Sequence, residues 1–360
     1  MNHFRFAIAS DLHIALPHTV WDHPHRFHLV EYSIEVLEVV LGQLEQLELD
    51  FLLLPGDLTQ HGEADNHRWL VQRLAQLPFP SYVIPGNHDL PTPDHFLPFL
   101  EFYWDYGCAA SANGQPYYSL SPLPGLRLIG LNSNFFTPDG EQIGYLDPTQ
   151  MAWLREELPR SGDLTLVMIH HNLIEHMPGQ GSNPLGKRYM LENRAELCEL
   201  LHQAGVELVF TGHLHVQDIA YSDRFQMYEI TTGSTVSFPH PYRLLEYKDR
   251  TLSITSHRVE QIPSVSNFSQ FSRTWMGDRA NPFISKLLMA PPLSLTRSQA
   301  DVLLPDLRYF WADLAAGDAR FNFSHFPEPA RSFLEAFNDL PPADNQLVIK
   351  LPELSGLSET

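Results

Sequence analysis

The run Phe4-Arg5-Phe6-Ala7-Ile8-Ala9-Ser10-Asp11-Leu12-His13 decides how this chain is read. Its apolar and small residues predict a buried strand over residues 4–10. The strand closes on Asp11 and His13, side chains of the types that hold metal cations. The pattern recurs along the chain. Strands predicted over 50–54 and 81–84 close on Pro55-Gly56-Asp57 and Pro85-Gly86-Asn87-His88-Asp89. Those over 164–169 and 207–210 close on His170-His171 and Gly212-His213-Leu214-His215.

Helical periodicity fills the intervals. Residues 29–47 place Ile34, Leu37, Leu41 and Leu44 on one face, a second helix covers 64–77, and a third begins near Asn193. Strands alternating with helices of this length predict an α/β sandwich, and in open α/β sheets ligands bind beyond the carboxyl ends of the strands. Beyond Gly212 the texture changes, with short antiparallel strands expected over 225–230, 243–247 and 252–257. From about Asn267 the pattern is helical, broken at Pro291-Pro292 and Pro341-Pro342. The expected division is a catalytic domain over residues 1–265 and a helical cap or appendage over 266–360, which covers either the cleft or a neighbouring subunit.

Bulk composition narrows the function classes. The 360 residues, 43% of them hydrophobic, suffice for a sizeable core. Lys and Arg number 23 against 43 Asp and Glu, a formal charge of −20. Such a surface repels nucleic acid and anionic lipid at long range, although bound cations reverse the local field for a small anionic substrate. Cys108 and Cys198 form no CxxC pair, which argues against a thiolate site or a disulfide framework. With no secretory h-region and no stretch of about 20 apolar residues, a soluble, cytoplasmic protein is expected. The sequence leaves a homo-oligomer open.

Taken singly, DxH, GD or a histidine at a strand end says little. As an ordered set, DxH, GD, GNHD, HH and GHxH are specific. Carboxylate, imidazole and amide oxygen without thiolate suit Mn, Fe or Zn ions. Asp57 has two oxygens with which to bridge a pair of ions, and such a pair clamps a phosphoryl oxygen and activates water for in-line attack.

This set resembles the calcineurin-like metallophosphoesterases, over roughly residues 4–260. Gln142-Ile143-Gly144-Tyr145-Leu146, followed by Gln150-Met151-Ala152-Trp153-Leu154, is similar to a stretch of the family's cyclic-nucleotide phosphodiesterase branch. The resemblance implies a four-layer αββα sandwich of two mixed sheets, with the motifs meeting at one edge. It also implies one metal on Asp11, His13, Asp57 and His215, and another on Asp57, Asn87, His170 and His213. His88 would stand by the phosphate as acid or charge stabiliser. Gly-Asp-Leu-Thr-Gln-His-Gly and Gly-Asn-His-Asp depart from the GDxVDRG and GNHE of protein phosphatases, so a cyclic nucleotide or other small phosphodiester is the expected substrate. A phosphomonoesterase or nucleotidase on the same metals is the alternative, and an inactive interaction module is disfavoured by the complete ligand set. Of the neighbours, His170 is preferred to His171 because strand side chains alternate. His18, His23, His25 and His28 are read as a solvated loop bordering the site, with a substrate-side lid over the metals as the alternative, His61 as a supporting group, and Lys187 and Arg188 as surface cations near the cleft.

Overall fold

Alternation along the strands sets the layers. The computed structural model describes residues 3–21, 26–158 and 164–352, with the backbone alone for 184 and 185. In β1 (His3–Ile8), Phe4, Phe6 and Ile8 point to one apolar cluster while Ala7 points to another. In β2 (Phe51–Leu54), Phe51 and Leu53 join the first cluster, and Leu52 and Leu54 the second. A strand buried on both faces needs cover on both, and the fold supplies it.

One sheet runs β14-β13-β12-β1-β2-β3, with β3 Ser81–Val83, β12 Pro241–Lys248, β13 Thr251–Arg258 and β14 Gln346–Lys350. The other runs β10-β11-β9-β8-β5-β4. Its members are β4 Tyr118–Leu123, β5 Leu126–Gly130, β8 Leu164–Met168, β9 Leu208–Thr211, β10 Asp218–Ser222 and β11 Met227–Thr231. Both are mixed: β1–β2–β3 and β5–β8–β9–β11 are parallel, and their flanking strands antiparallel. A short ribbon of β6 (Asn134–Phe136) and β7 (Gln142–Gly144) stands apart.

Phe6, Phe51, Leu128, Leu166 and Phe210 fill the space between the sheets. Outside the first sheet lie α1 (Ser33–Leu44), α2 (Ala64–Leu74) and α3 (Phe96–Phe102), through Val36, Leu37, Val40, Leu70 and Phe99. Outside the second lie α4 (Pro148–Glu157) and α6 (Arg194–Gln203), which follows the short α5 (Pro184–Lys187). The result is the expected αββα sandwich with helices C-terminal to it. The sequence reading overlooked β4, β5, β10, β14 and the ribbon.

The C-terminal segment is helical and then returns to the sheet. Helices α7 (Phe268–Met289), α8 (Arg297–Leu303), α9 (Phe310–Ala315) and α10 (Ala330–Glu335) build their own core around Met276, Ile284, Leu288, Leu307 and Phe310. Leu214 and Val216, just after β9, belong to that core. The final strand, β14, then pairs antiparallel with β13. Fully buried Arg243 donates to the carbonyls of Asp344, Asp218 and Thr231, tying this return to both sheets. Among the described residues no helix is long and apolar enough to cross a membrane.

A buried ion network braces the loop after β8. His176 has Nδ1 2.5 Å from Asp218 and Nε2 3.1 Å from Glu229. Glu229 also accepts from the N–H groups of Leu173 and Ile174. Burial alone would lower the His176 pKa, but the two carboxylates outweigh it and lift it to about 10. The folded state therefore holds a proton that the unfolded chain releases near pH 6.5. Stability from this group is complete below that pH and is lost as pH rises through about 10. Asp344, near Asp218 and Asp339, is pushed up to about 8, largely by burial, and adds a loss in the same direction below that pH. Above pH 8, unfolding free energy should fall as pH rises, with His176 contributing one proton to that slope until it titrates. In His176→Gln, weaker at neutral pH, denaturant titrations should show a flatter alkaline limb. An unchanged slope would locate the proton elsewhere.

Candidate metal centre

Three of the five strand-end motifs, DxH, GD and GHxH, leave their strands through strained residues. Asp11, His13, Asp57, His213 and His215 all have positive φ, between 41° and 66°, a region rare for residues with a Cβ and concentrated at functional sites. Gly56, at φ 97°, permits the turn into Asp57. A Cβ on Gly86 would collide with the Asp57 carboxylate, so that turn requires glycine.

These turns bring the predicted residues together. Asp57 is fully buried, and its Oδ2 lies 3.6 Å from His13 Nε2 and 3.4 Å from His170 Nε2, with no hydrogen-bond partner. Its Oδ1 accepts from the His88 N–H at 2.8 Å. His215 Nε2 is 3.0 Å from Asp11 Oδ1 and 3.5 Å from His13 Nε2. His170 Nε2 is 3.3 Å from Asn87 Oδ1, and its Nδ1 donates to the Pro55 carbonyl at 2.8 Å. That bond turns Nε2 toward Asp57. Ligand-type atoms of Asp11, His13, Asp57 and His215 all lie within 4.8 Å of one another, as do those of Asp57, His170 and His213. The two groups share Asp57.

Electrostatics suit cation binding. Desolvation comes first for His13, His28 and His213, and neighbouring imidazoles add to it, holding all three pKa values well below the usual histidine range. Neutral imidazole is the form that ligates metal. Burial opposes ionisation of Asp57, yet the facing His170 and His88 keep its carboxyl well below the ordinary range. A buried carboxylate oxygen without a donor, among imidazoles and an amide oxygen, is a donor set that fits two borderline or hard cations.

The surrounding residues have separable tasks. Asp89 accepts from the N–H groups of Leu58, Thr59 and Gly86, locking the Asp57 turn to the Asn87 turn. Gln142 Nε2 donates to the carbonyls of Asn87 and Leu90 from the ribbon side. Gln150 closes a paired bond with the Asn132 backbone. His171 is buried on Ser133, 2.7 Å away, with its ring 4.3 Å from that of His213. His88 Nδ1 lies 2.6 Å from the Gln60 carbonyl, and its ring stands edge-on to His13 at 4.6 Å. His61 stacks on His88, and Trp21 stacks on His61.

The loop after DxH overturns the solvated reading at one position. His18 is exposed beside Asp65, as expected of a solvated loop, while His23 and His25 lie outside the described residues. His28 instead faces the centre, its ring 4.5 Å from those of both His13 and His215. A ligand-type nitrogen of His28 lies within 4.8 Å of theirs. A histidine in an aperiodic segment carries no local signal of this; only the placement of the chain after β1 reveals it.

Above the cluster opens a cavity of about 700 Å³. Asp57, Asn87, His88, His171, His213 and His215 line it, together with Arg26, Phe27, Lys187, Arg188 and Tyr189. Met276, Phe283 and Trp311 also line it, so the C-terminal helices border the cleft. Lys187 is 3.7 Å from Glu192 and Arg26 2.7 Å from Glu31. Arg188 lies over the Tyr189 ring and has no carboxylate partner among the described residues.

Residues 4–217 match the calcineurin-like phosphoesterase family. A probable cyclic nucleotide phosphodiesterase of Synechococcus is 30% identical over 177 residues, 49% of this chain and 62% of that protein. Purple acid phosphatase 18 of Arabidopsis thaliana is 30% identical over 188 residues, 49% of this chain and 40% of that protein. The matches thus span less than two thirds of either relative. The crystal structure of a dimetal phosphatase from Danio rerio superposes with a TM-score of 0.54 at 14% identity. It covers 72% of this chain and 97% of that one, a likeness of fold.

Proposed function

Because the chain belongs to the calcineurin-like phosphoesterase family, we propose that it hydrolyses a small phosphodiester at a pair of metal ions. Asp11, His13, Asp57 and His215 hold one ion, and Asp57, Asn87, His170 and His213 the other. The supporting observation is the Asp57 carboxylate, whose unpartnered Oδ2 faces both His13 and His170. Mn, Fe or Zn ions suit these donors. When bound, such a pair supplies an activated water and neutralises charge at the phosphoryl oxygens.

The protein's own groups do the rest. Asp89 and Gln142 hold the Asn87–His88 turn rigid, since catalytic geometry tolerates little slack. His88, with Nδ1 fixed on Gln60, presents its other face to the cleft and donates a proton to the departing alkoxide. After metal reconstitution, hydrolysis of bis-p-nitrophenyl phosphate and 3′,5′-cyclic nucleotides should exceed that of p-nitrophenyl phosphate. A preference for the monoester would make the protein a phosphomonoesterase on the same centre.

His28 adds a third imidazole on the side of His13 and His215. His28→Ala should weaken metal affinity at that position by roughly tenfold, as loss of a residue supporting a metal site commonly does. Isothermal titration with Mn²⁺ reads this directly, and unchanged affinity would remove His28 from the site.

A further inference from the structure

The family match ends at residue 217, yet the cleft continues into the segment beyond it. Helix α7 contributes Met276 and Phe283 to the lining, and α9 contributes Trp311. Phe27, one residue before His28, meets Phe283 edge-on at 6.5 Å, and Phe283 meets Trp311 at 4.8 Å. Met276 and Trp311 are rooted in the helical core, whereas Phe27 and Phe283 are half-buried and keep surface for a ligand. An aromatic shelf thus runs from the helical core to within one residue of the metal-ligand cluster.

A bare phosphate or a methyl ester has no use for such a wall. The cavity, at about 700 Å³, falls in the range of pockets that enclose an organic molecule of drug size. Aromatic side chains lining a phosphate site are suited to stack a planar group. We infer that the C-terminal helices set substrate specificity: Phe27 and Phe283, backed by Trp311 and Met276, receive the retained aromatic group of a nucleoside-type phosphodiester. This rests on the proposed diesterase reading and adds the class of diester. Helix α7 acts at a distance from the reacting atoms, so its contribution is uniform binding, which appears in KM more than in kcat.

Two diesters with the same leaving group isolate the shelf: thymidine 5′-(p-nitrophenyl) phosphate and methyl p-nitrophenyl phosphate. With the metal-loaded full chain, the thymidine ester should show the lower KM. Phe283→Ala should raise its KM roughly tenfold, the scale of one base–aromatic stack, with kcat within about twofold. The methyl ester should be unaffected. Phe283→Leu, which keeps apolar volume for the helical core, should give a smaller rise with a near-normal melting temperature, so the test survives if the alanine variant folds poorly. Equal KM values for the two esters in the wild type, or equal effects of Phe283→Leu on both, would overturn the inference and leave the diesterase reading intact. No turnover of either ester by the metal-loaded wild type would overturn the diesterase reading itself.

Discussion

Asp57→Asn should abolish tight binding of both metal ions and nearly all turnover while leaving the chain folded. The substitution keeps shape and removes one charge. Asp57 lies on both candidate ligand groups, and its Oδ2 faces His13 on one side and His170 on the other. Without that charge, two cations would face each other across a neutral amide, and their repulsion in a buried site goes unscreened. The metal-dependent stabilisation of the transition state, several kcal/mol, disappears with them, so kcat should fall by at least about 10³. Among the described residues Oδ1 accepts only from the His88 backbone N–H, a bond the asparagine oxygen preserves, which is why the fold should survive. Elemental analysis and circular dichroism of the purified variant check both halves. Two ions per chain retained at wild-type affinity would rule out the shared carboxylate.

His88→Ala should separate chemistry from metal binding. The ring is anchored at 2.6 Å to the Gln60 carbonyl and sits edge-on to His13 without ligating contacts of its own. Losing a general acid typically costs about 10²–10⁴ in rate, and losing a donor to developing negative charge costs a similar amount. A fall in kcat within that span, with metal content unchanged, is expected for an alkyl diester. The loss should be smaller for a p-nitrophenyl ester, whose leaving group needs little protonation. A variant with normal kcat and a lowered melting temperature would reduce His88 to a packing residue of the turn.

The parts of the molecule legible in the sequence are those encoded locally. Buried strands at 4–10, 50–54 and 164–169 announce themselves by continuous apolar runs, and the glycines beside Asp57 and Asn87 by the turns they permit. Because β1, β2 and β3 run parallel in one sheet, and β8 and β9 in the other, the carboxyl ends of each set fall on one edge. Motif order was therefore enough to bring Asp11, His13, Asp57, Asn87, His170, His213 and His215 into one cluster. What escaped depends on contacts between distant segments. Strands β4 and β5 are joined across Pro124-Gly125 in an irregular ladder that alternation alone does not reveal. Strand β14 pairs with β13 nearly a hundred residues earlier, and its outward Val348 gives no amphipathic pattern. His28 reads as loop because its partners, His13 and His215, lie on two other strand ends. Likewise, nothing local in α7 marks Phe283 as a wall of the cleft.

The central claim is that two metal ions on this cluster make the protein a diesterase. The most direct measurement titrates metal-stripped protein with Mn²⁺ while following ions bound per chain and turnover of bis-p-nitrophenyl phosphate. Two ions should bind per chain, with turnover rising as the second site fills and vanishing on chelation. Saturation at one ion or none, or turnover that survives removal of both, would contradict the account.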